Sequence, residues 1–381
     1  MVNRFLVFVG VLVPFLMSAF CVFSVVYLFP GIAAEFHVSI KYLSFLVMLS
    51  FIGGALGGVV LGMLADAYGR RVGLLVSVLI FSVFTLVAGF VNVLWVLYVF
   101  WFLVGFGVNA ENGITYAVIT EVWKGGRGLM GGLVQGIYFV GILMDAALTS
   151  IIPSWRIALF IVGALSLVLS VPLVITIPET TSKVGISRVG YGELFRGKYL
   201  LLTVLSTALV ASAFLYTIPL VSLAPTYLSV VRVGDLHAWL IALPIIGVIA
   251  YILAGYLSDV YGRTEVLLAL STIAAVSAIA LLIIPVTSLD YVVIPMAMAY
   301  FSSSIFSYLG VFISELYPMR FRATASNFAF LLGRVLGGVG PPLVAILFIK
   351  NLSFGLGVVL LICAVVALVS TLIIKRVTRA G

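Results

Sequence analysis

The chain has 381 residues, 64% of them hydrophobic and 8% charged, with a mean hydropathy of +1.35. So little polar surface excludes a water-soluble globular protein and makes lipid the solvent. The formal net charge of +8 reports membrane topology and contact with anionic lipid, not nucleic acid, which requires basic surface outside the membrane.

A spanning helix needs about 20 mostly apolar residues. Hydropathy divides the chain into runs at 5–29, 40–65, 72–90, 93–119, 129–151, 156–177, 199–222, 237–257, 264–285, 289–312, 323–349 and 355–375, twelve predicted spans in all. They are too long and too unalternating for barrel strands. The first run outlasts the apolar core of a signal peptide and is kept as a span. Cys21 and Cys363 fall in the first and last runs without disulfide or metal spacing. His37 and His237 fall in or beside outer loops and read as solvated.

Charge sets the orientation. With both termini cytoplasmic, the inner segments hold Arg4, Arg70, Arg71, Lys124, Arg127, Lys183, Arg188, Arg196, Lys198, Arg263, Arg320, Arg322, Lys375, Arg376 and Arg379, 15 of the 20 cationic residues. The outer loops hold Lys41, Arg156, Arg232 and Lys350, as the positive-inside rule requires.

The longest polar interruption, 178–198, lies mid-chain and reads as a cytoplasmic linker between two six-helix bundles, 1–177 and 199–381. The peptide GMLADAYGRR (62–71) recurs as GYLSDVYGRT (255–264). Asp66 to Asp259 is 193 positions, Glu121 to Glu315 is 194, and Arg127 to Arg322 is 195. Three landmarks at near-constant spacing point to a duplicated chain, and parallel repeats of this kind are expected to hold a substrate site near the bilayer midplane. Within the repeated peptide, Gly62 and Gly255 allow close approach of a neighbouring helix, and Gly69 and Gly262 permit a tight turn. Asp66 and Asp259 are suited to accept hydrogen bonds from a helix N-terminus.

The repeated peptide resembles the cytoplasmic loop signature between helices 2 and 3 of the major facilitator superfamily, echoed between helices 8 and 9. SELYPMRFRAT (314–324) resembles the loop between helices 10 and 11 of sugar porters and organic-acid/proton symporters, and TEVWKGGRG (120–128) is its counterpart. The resemblance implies an all-α integral membrane fold of twelve helices in two pseudo-symmetric bundles. It also implies a cytoplasmic gating network of Asp66, Arg70, Glu121, Arg127, Glu179, Asp259, Arg263, Glu315 and Arg322. Such charges contribute little singly, but as a set made and broken between states they bias a conformational equilibrium. A purely topological latch is the alternative reading.

The sugar-porter glutamine pair is absent from the seventh span and the Gly-Pro signature of drug antiporters from the fifth. NAENGITYAVITEVW (109–123) resembles the fourth span of sialate and metabolite/proton symporters, and RATASNFAFLLGRVLGGVGPP (322–342) the eleventh span of aromatic-acid symporters. The Asp common in the first span of aromatic-acid symporters is missing here.

Charges inside spans cost roughly 2.5 to 3.5 kcal/mol each at mid-bilayer and mark function. Arg334 lies twelve residues after Arg322, about 18 Å along a helix and so near the midplane. Asn327, Arg334 and Pro341, spaced by seven, share a face expected to line the cavity. Glu111 is near mid-depth, with Asn109, Asn112 and Tyr116 on the other side of the same span, and reads equally as a site or a structural group. Asp145 reads as structural or as part of the rim. The resemblance implies that spans 1, 4, 7 and 10 line the cavity. On them Tyr216, Tyr300, Ser303, Ser304 and Ser307 offer a hydroxyl stripe, with interhelical hydrogen bonding as the equal alternative.

With no nucleotide loop, zinc spacing or nucleophile constellation, neither an enzyme nor a cofactor is expected. The reading is a monomeric, multi-pass cell-membrane transporter of a small-molecule substrate, a proton-coupled symporter of a small organic anion, in contact with lipid and without nucleic acid. A sugar transporter, an exporter of amphiphiles and a non-transporting receptor are the alternatives.

Overall fold

The computed structural model describes residues 4–122, 127–177, 194–283, 291–318, 322–347 and 351–379. Apolar side chains recur all round most segments, and with lipid outside, each backbone amide must find its partner within its own helix. The described residues accordingly form fourteen helices: α1 (Arg4–Tyr27), α2 (Phe29–Phe36), α3 (Ile40–Tyr68), α4 (Arg70–Ala88), α5 (Leu94–Val122), α6 (Arg127–Ile151), α7 (Trp155–Thr176), α8 (Lys198–Val231), α9 (Leu236–Tyr261), α10 (Arg263–Ile283), α11 (Val293–Ser302), α12 (Phe306–Glu315), α13 (Arg322–Leu347) and α14 (Leu352–Arg379). A 3₁₀ turn, Ser303–Ile305, joins α11 to α12. Eleven segments are long and apolar enough to cross a membrane, and Leu94–Asn109 of α5 is a shorter apolar stretch. The protein is thus a multi-pass, all-helical membrane protein. Its outer faces agree, carrying exposed Leu56, Val59 and Val60 on α3 and Val168 and Leu169 on α7.

Two compact units emerge. One comprises Met1–Gly125, Ile137–Lys183 and Leu240–Ile245; the other Gly126–Gly136, Val184–Trp239 and Ile246–Gly381. In the first, α3 lies along α5, α4 packs on α5 and α7, and α1 packs on α7. In the second, α13 lies along α8, α10 packs on α14, and α14 packs on α8. The third long helix against the sixth and the sixth against the first is a pattern common to both, the packing counterpart of the sequence repeat.

Small residues make these approaches. Gly53 and Gly57, one turn apart on α3, face the Phe102 and Phe106 carbonyls of α5, and Gly105 of α5 faces Ser50 of α3. Gly333 and Gly337 do the same on α13 against Val210 and Phe214 of α8. This is the small-xxx-small arrangement by which membrane helices come close enough for dispersion forces to act. The repeated peptide turns at Gly69 (φ 114°) and Gly262 (φ 93°), both in the positive-φ region that disfavours a side chain.

Hydropathy did not reveal α2. This eight-residue helix closes on His37 in the left-handed conformation and is held by a polar clamp. Trp155 Nε1 donates to Glu35 Oε2 at 2.7 Å, and Arg156 donates to Glu35 Oε1 through Nε at 3.2 Å and also through its terminal nitrogen. Arg156 further donates to the Gly89 carbonyl and to Asn92 Oδ1, each at 3.0 Å. One guanidinium fork therefore ties α2, the end of α4 and the start of α7 together. Hydrogen bonds from Arg156 hold the Glu35 carboxyl below its ordinary value of 4.5, against a smaller opposing effect of burial.

A depressed folded-state value means that the clamp's stabilisation is complete above the ordinary glutamate range and is lost as pH falls through the lower folded value. Thermal unfolding of wild type should therefore lose a few degrees on acidification below about pH 4.3 that Glu35→Gln, already lacking the charge, does not lose. Parallel pH profiles of the two proteins would show the clamp to be inert.

Candidate functional site

The second unit gathers charge at one end of its helices. Asp259, in the last turn of α9, accepts hydrogen bonds from the Gly128 and Leu129 amides at 3.2 and 3.0 Å. These amides belong to the first turn of α6, where the helix leaves donors unsatisfied and its dipole is positive. Arg263 stands 3.6 Å from Asp259 and grips Glu315 with both arms of its fork, Nε to Oε2 at 2.6 Å and a terminal nitrogen to Oε1 at 2.9 Å. Asp259, Arg263 and Glu315 thus form one network with the α6 N-terminus, while Arg127 beside them is exposed. Lys375 of α14 pairs with Glu265 of α10 at 2.7 Å. Glu179 lies outside the described residues, as do the side chains of Asp66, Glu121 and Arg322. Arg70 opens α4 directly after the Gly69 turn.

The two copies of the repeated peptide differ in one respect. At Gly255 a Cβ would run into the Gly128 carbonyl and lie 3.0 Å from the Gly132 Cα, whereas at Gly62 no atom of the described residues stands within 4 Å. The close-approach role expected of both glycines is seen at Gly255.

In the first unit Glu111 is fully buried on α5, and Thr115 donates to its Oε1 at 2.6 Å from one turn along the same helix. Ser18 of α1 lies beside it. Asn109 is buried, its amide 3.4 Å from the Gly105 carbonyl and seated over Gly54 of α3. The side chains of Asn112 and Tyr116 lie outside the described set. Trp101, fully buried about two turns before Asn109, donates through Nε1 to the Val22 carbonyl at 3.2 Å. Asp145 on α6 is buried, 1% exposed.

The hydroxyl stripe of the second unit departs from helical spacing. Tyr300 and Ser303 are buried, and Ser303 Oγ donates to the Tyr300 carbonyl at 2.7 Å. The 3₁₀ turn then breaks the register. Tyr216 of α8 shares its hydroxyl with Ser302 at 2.9 Å and with Ser277 of α10 at 3.1 Å, two partners that spacing did not single out. Ser304 and Ser307 are buried, and their hydroxyls make no hydrogen bond to the described residues. The run of three serines, 302–304, was the available signal. A small cavity beside Tyr216, lined also by Ser212, Thr217, Ser271 and Cys363, holds nothing larger than a water. On α13, Asn327 is exposed, Arg334 half-buried and Pro341 buried, so the seven-residue series is not uniformly enclosed.

A helical membrane bundle with a repeated packing pattern, a charge network at a duplicated loop and charged side chains within its spans is the architecture of a solute carrier. The Major Facilitator Superfamily model matches residues 11–341, and the chain belongs to that family. A transporter of Cupriavidus pinatubonensis named for 4-methylmuconolactone is 24% identical over 326 residues, covering 82% of this chain and 76% of that one. The gentisate transporter of Corynebacterium glutamicum is 23% identical over 343 residues, covering 85% and 76%. The crystal structure of the nucleoside transporter NupG (D323A mutant) superposes with a TM-score of 0.71 at 16% identity, covering 98% of both chains, and so shares the fold.

Because the space over Gly255 is filled and no described residue stands over Gly62, matched substitutions should diverge. Gly62→Ala should keep or raise the melting temperature, since Ala is favoured over Gly in a helix by about 1 kcal/mol. Gly255→Ala should lower it by several degrees in detergent-solubilised protein. Equal effects at the two positions would contradict the packing at Gly255.

Proposed function

We propose that this chain is a secondary active transporter working by alternating access, a symporter of a small organic anion with a proton. It comprises two six-helix halves, 1–177 and 199–381, joined by a cytoplasmic linker at 178–198, and it acts as a monomer in the cell membrane with both termini cytoplasmic. The observation that carries the substrate class is Arg334, a half-buried guanidinium twelve residues into α13. An arginine at that depth is costly to insert and is retained where it meets an anion. Its planar fork matches a carboxylate in bidentate fashion. The relatives named for gentisate and 4-methylmuconolactone support a ring-bearing acid.

The coupling proton follows from electrostatics. Carrying one negative charge inward against an inside-negative potential costs about 2.3 kcal/mol per 100 mV, and a proton carried with it cancels that cost. The charge network of Asp259, Arg263, Glu315 and the α6 N-terminus supplies interactions to be made in one state and broken in another.

Counterflow of labelled gentisate and related aromatic carboxylates in proteoliposomes tests the reading. Exchange should occur, and Arg334→Lys, which keeps the charge but not the fork, should weaken carboxylate binding by roughly tenfold, about 1.4 kcal/mol. A protein that binds no carboxylate, or a Lys variant that binds it as well as wild type does, would sink the organic-anion assignment.

A further inference from the structure

Asp145 is the least accommodated charged residue type among the described residues. It sits in α6 one turn after Gly141, and Gly141 presses that helix onto α1. A Cβ at Gly141 would lie 2.7 Å from the Ala19 Cβ and the Leu16 carbonyl and 2.8 Å from the Phe20 amide. Tyr138, a turn earlier, stacks its ring against Phe15 and Phe23 of α1 at 5.4 and 5.9 Å. The carboxyl is thereby shut beneath α1. Among the described residues, neither of its oxygens reaches a hydrogen-bond donor and no ion pair involves it. Glu111 differs, because Thr115 satisfies one of its oxygens.

What surrounds Asp145 is neutral. From α1, Cys21 is the titratable group that faces it, and the Cys21 thiol in turn meets the Ser166 hydroxyl of α7 at 3.1 Å and Thr85 of α4. No lysine, arginine or histidine acts on Asp145 from these helices. An ionised carboxylate with neither counter-charge nor donor would cost many kcal/mol in such a place, whereas the neutral acid costs only the loss of ordinary hydration.

We propose that Asp145 is a proton-binding site, holding its proton as the neutral acid in the conformation described and releasing it when α6 and α1 part to admit water. In that step the acid O–H bond breaks, the proton passes to water, and the carboxylate left behind is stabilised by the entering solvent. Reclosure of α6 on α1 requires the reverse. Asp145 then carries one proton per conformational cycle, which deepens the symport reading and rests on it. It also makes Asp145, and not the better-satisfied Glu111, the coupling carboxyl.

Infrared spectroscopy of the purified protein at neutral pH reads the proton directly. Wild type should show the carbonyl stretch of a neutral carboxylic acid that is absent from Asp145→Asn and persists in Glu111→Gln. ¹³C-aspartate labelling of wild type should shift the same band, which tests the site without relying on a variant's folding. Unchanged spectra in the Asn variant, or a band that ignores the label, would overturn the proposal. In proteoliposomes, Asp145→Asn should retain gentisate counterflow and lose the stimulation of uptake by an inward proton gradient. Undiminished stimulation would overturn the coupling role. If wild type carries no gentisate, the organic-anion reading fails while the infrared result still decides the proton site.

Discussion

A peptide group left without a hydrogen-bond partner in hydrocarbon costs several kcal/mol, and most of what this chain does is arranged to avoid that cost. Helices satisfy the backbone from within. Prolines at positions 14, 172, 219, 225 and 244 are tolerated inside them because neighbouring helices and local adjustments compensate the interrupted ladder. The same economy governs the hydroxyls. Ser18, Ser24, Ser50, Thr85, Ser212 and Thr371 each donate to a carbonyl three or four residues back on their own helix. Such residues are therefore no guide to a substrate site unless they meet a different helix, as Tyr216 and Ser302 do.

Charge follows the same rule with higher stakes. At helix ends, where solvent and headgroups are near, carboxylates and guanidinium groups find one another and the open amides of a helix start. The Arg263 network and the Arg156 clamp are both of this kind, the first joining α6, α9, α10 and α12 and the second joining α2, the end of α4 and α7. Within the spans no such abundance exists, and the three deep charges differ by what they have secured. Glu111 has a hydroxyl one turn along its own helix, Arg334 is half-buried, and Asp145 has no hydrogen-bond partner among the described residues.

Hydropathy made the spans legible because lipid imposes one length on all of them. Most predicted ends fall within a few residues of the helices found. What it missed is physical in origin. α2 is too short to register, α8 runs nine residues beyond its expected end through Pro225 to Val231, and a three-residue change of helix type leaves hydropathy untouched. The duplicated peptide reads as a tight turn at its second glycine, and Gly69 and Gly262 both turn there at positive φ. Its first glycine illustrates the limit, since Gly62 and Gly255 hold matching positions in the repeat, yet among the described residues a close neighbour stands only over Gly255. Arg156 read as an outer-loop cation, and its role as a clamp depended on Glu35, Gly89 and Asn92, residues remote in sequence and without a spacing to betray them. Glu111, Asp145 and Arg334 were found by depth alone, and which of them had partners required coordinates.

The 3₁₀ turn at Ser303–Ile305 has a geometric effect out of proportion to its length. A 3₁₀ helix turns about 120° per residue against about 100° in an α-helix. Three residues therefore advance the azimuth by an extra ~60°. Side chains on α12 are therefore phased differently from those on α11, Ser307 being turned by about 60° from where an unbroken α-helix would put it relative to Tyr300. The turn acts as a fixed offset coupling between two rods. Any conversion of those three residues to regular α-helix would swivel one rod against the other by a sixth of a revolution, carrying Glu315 and the Arg263 that grips it along with α12.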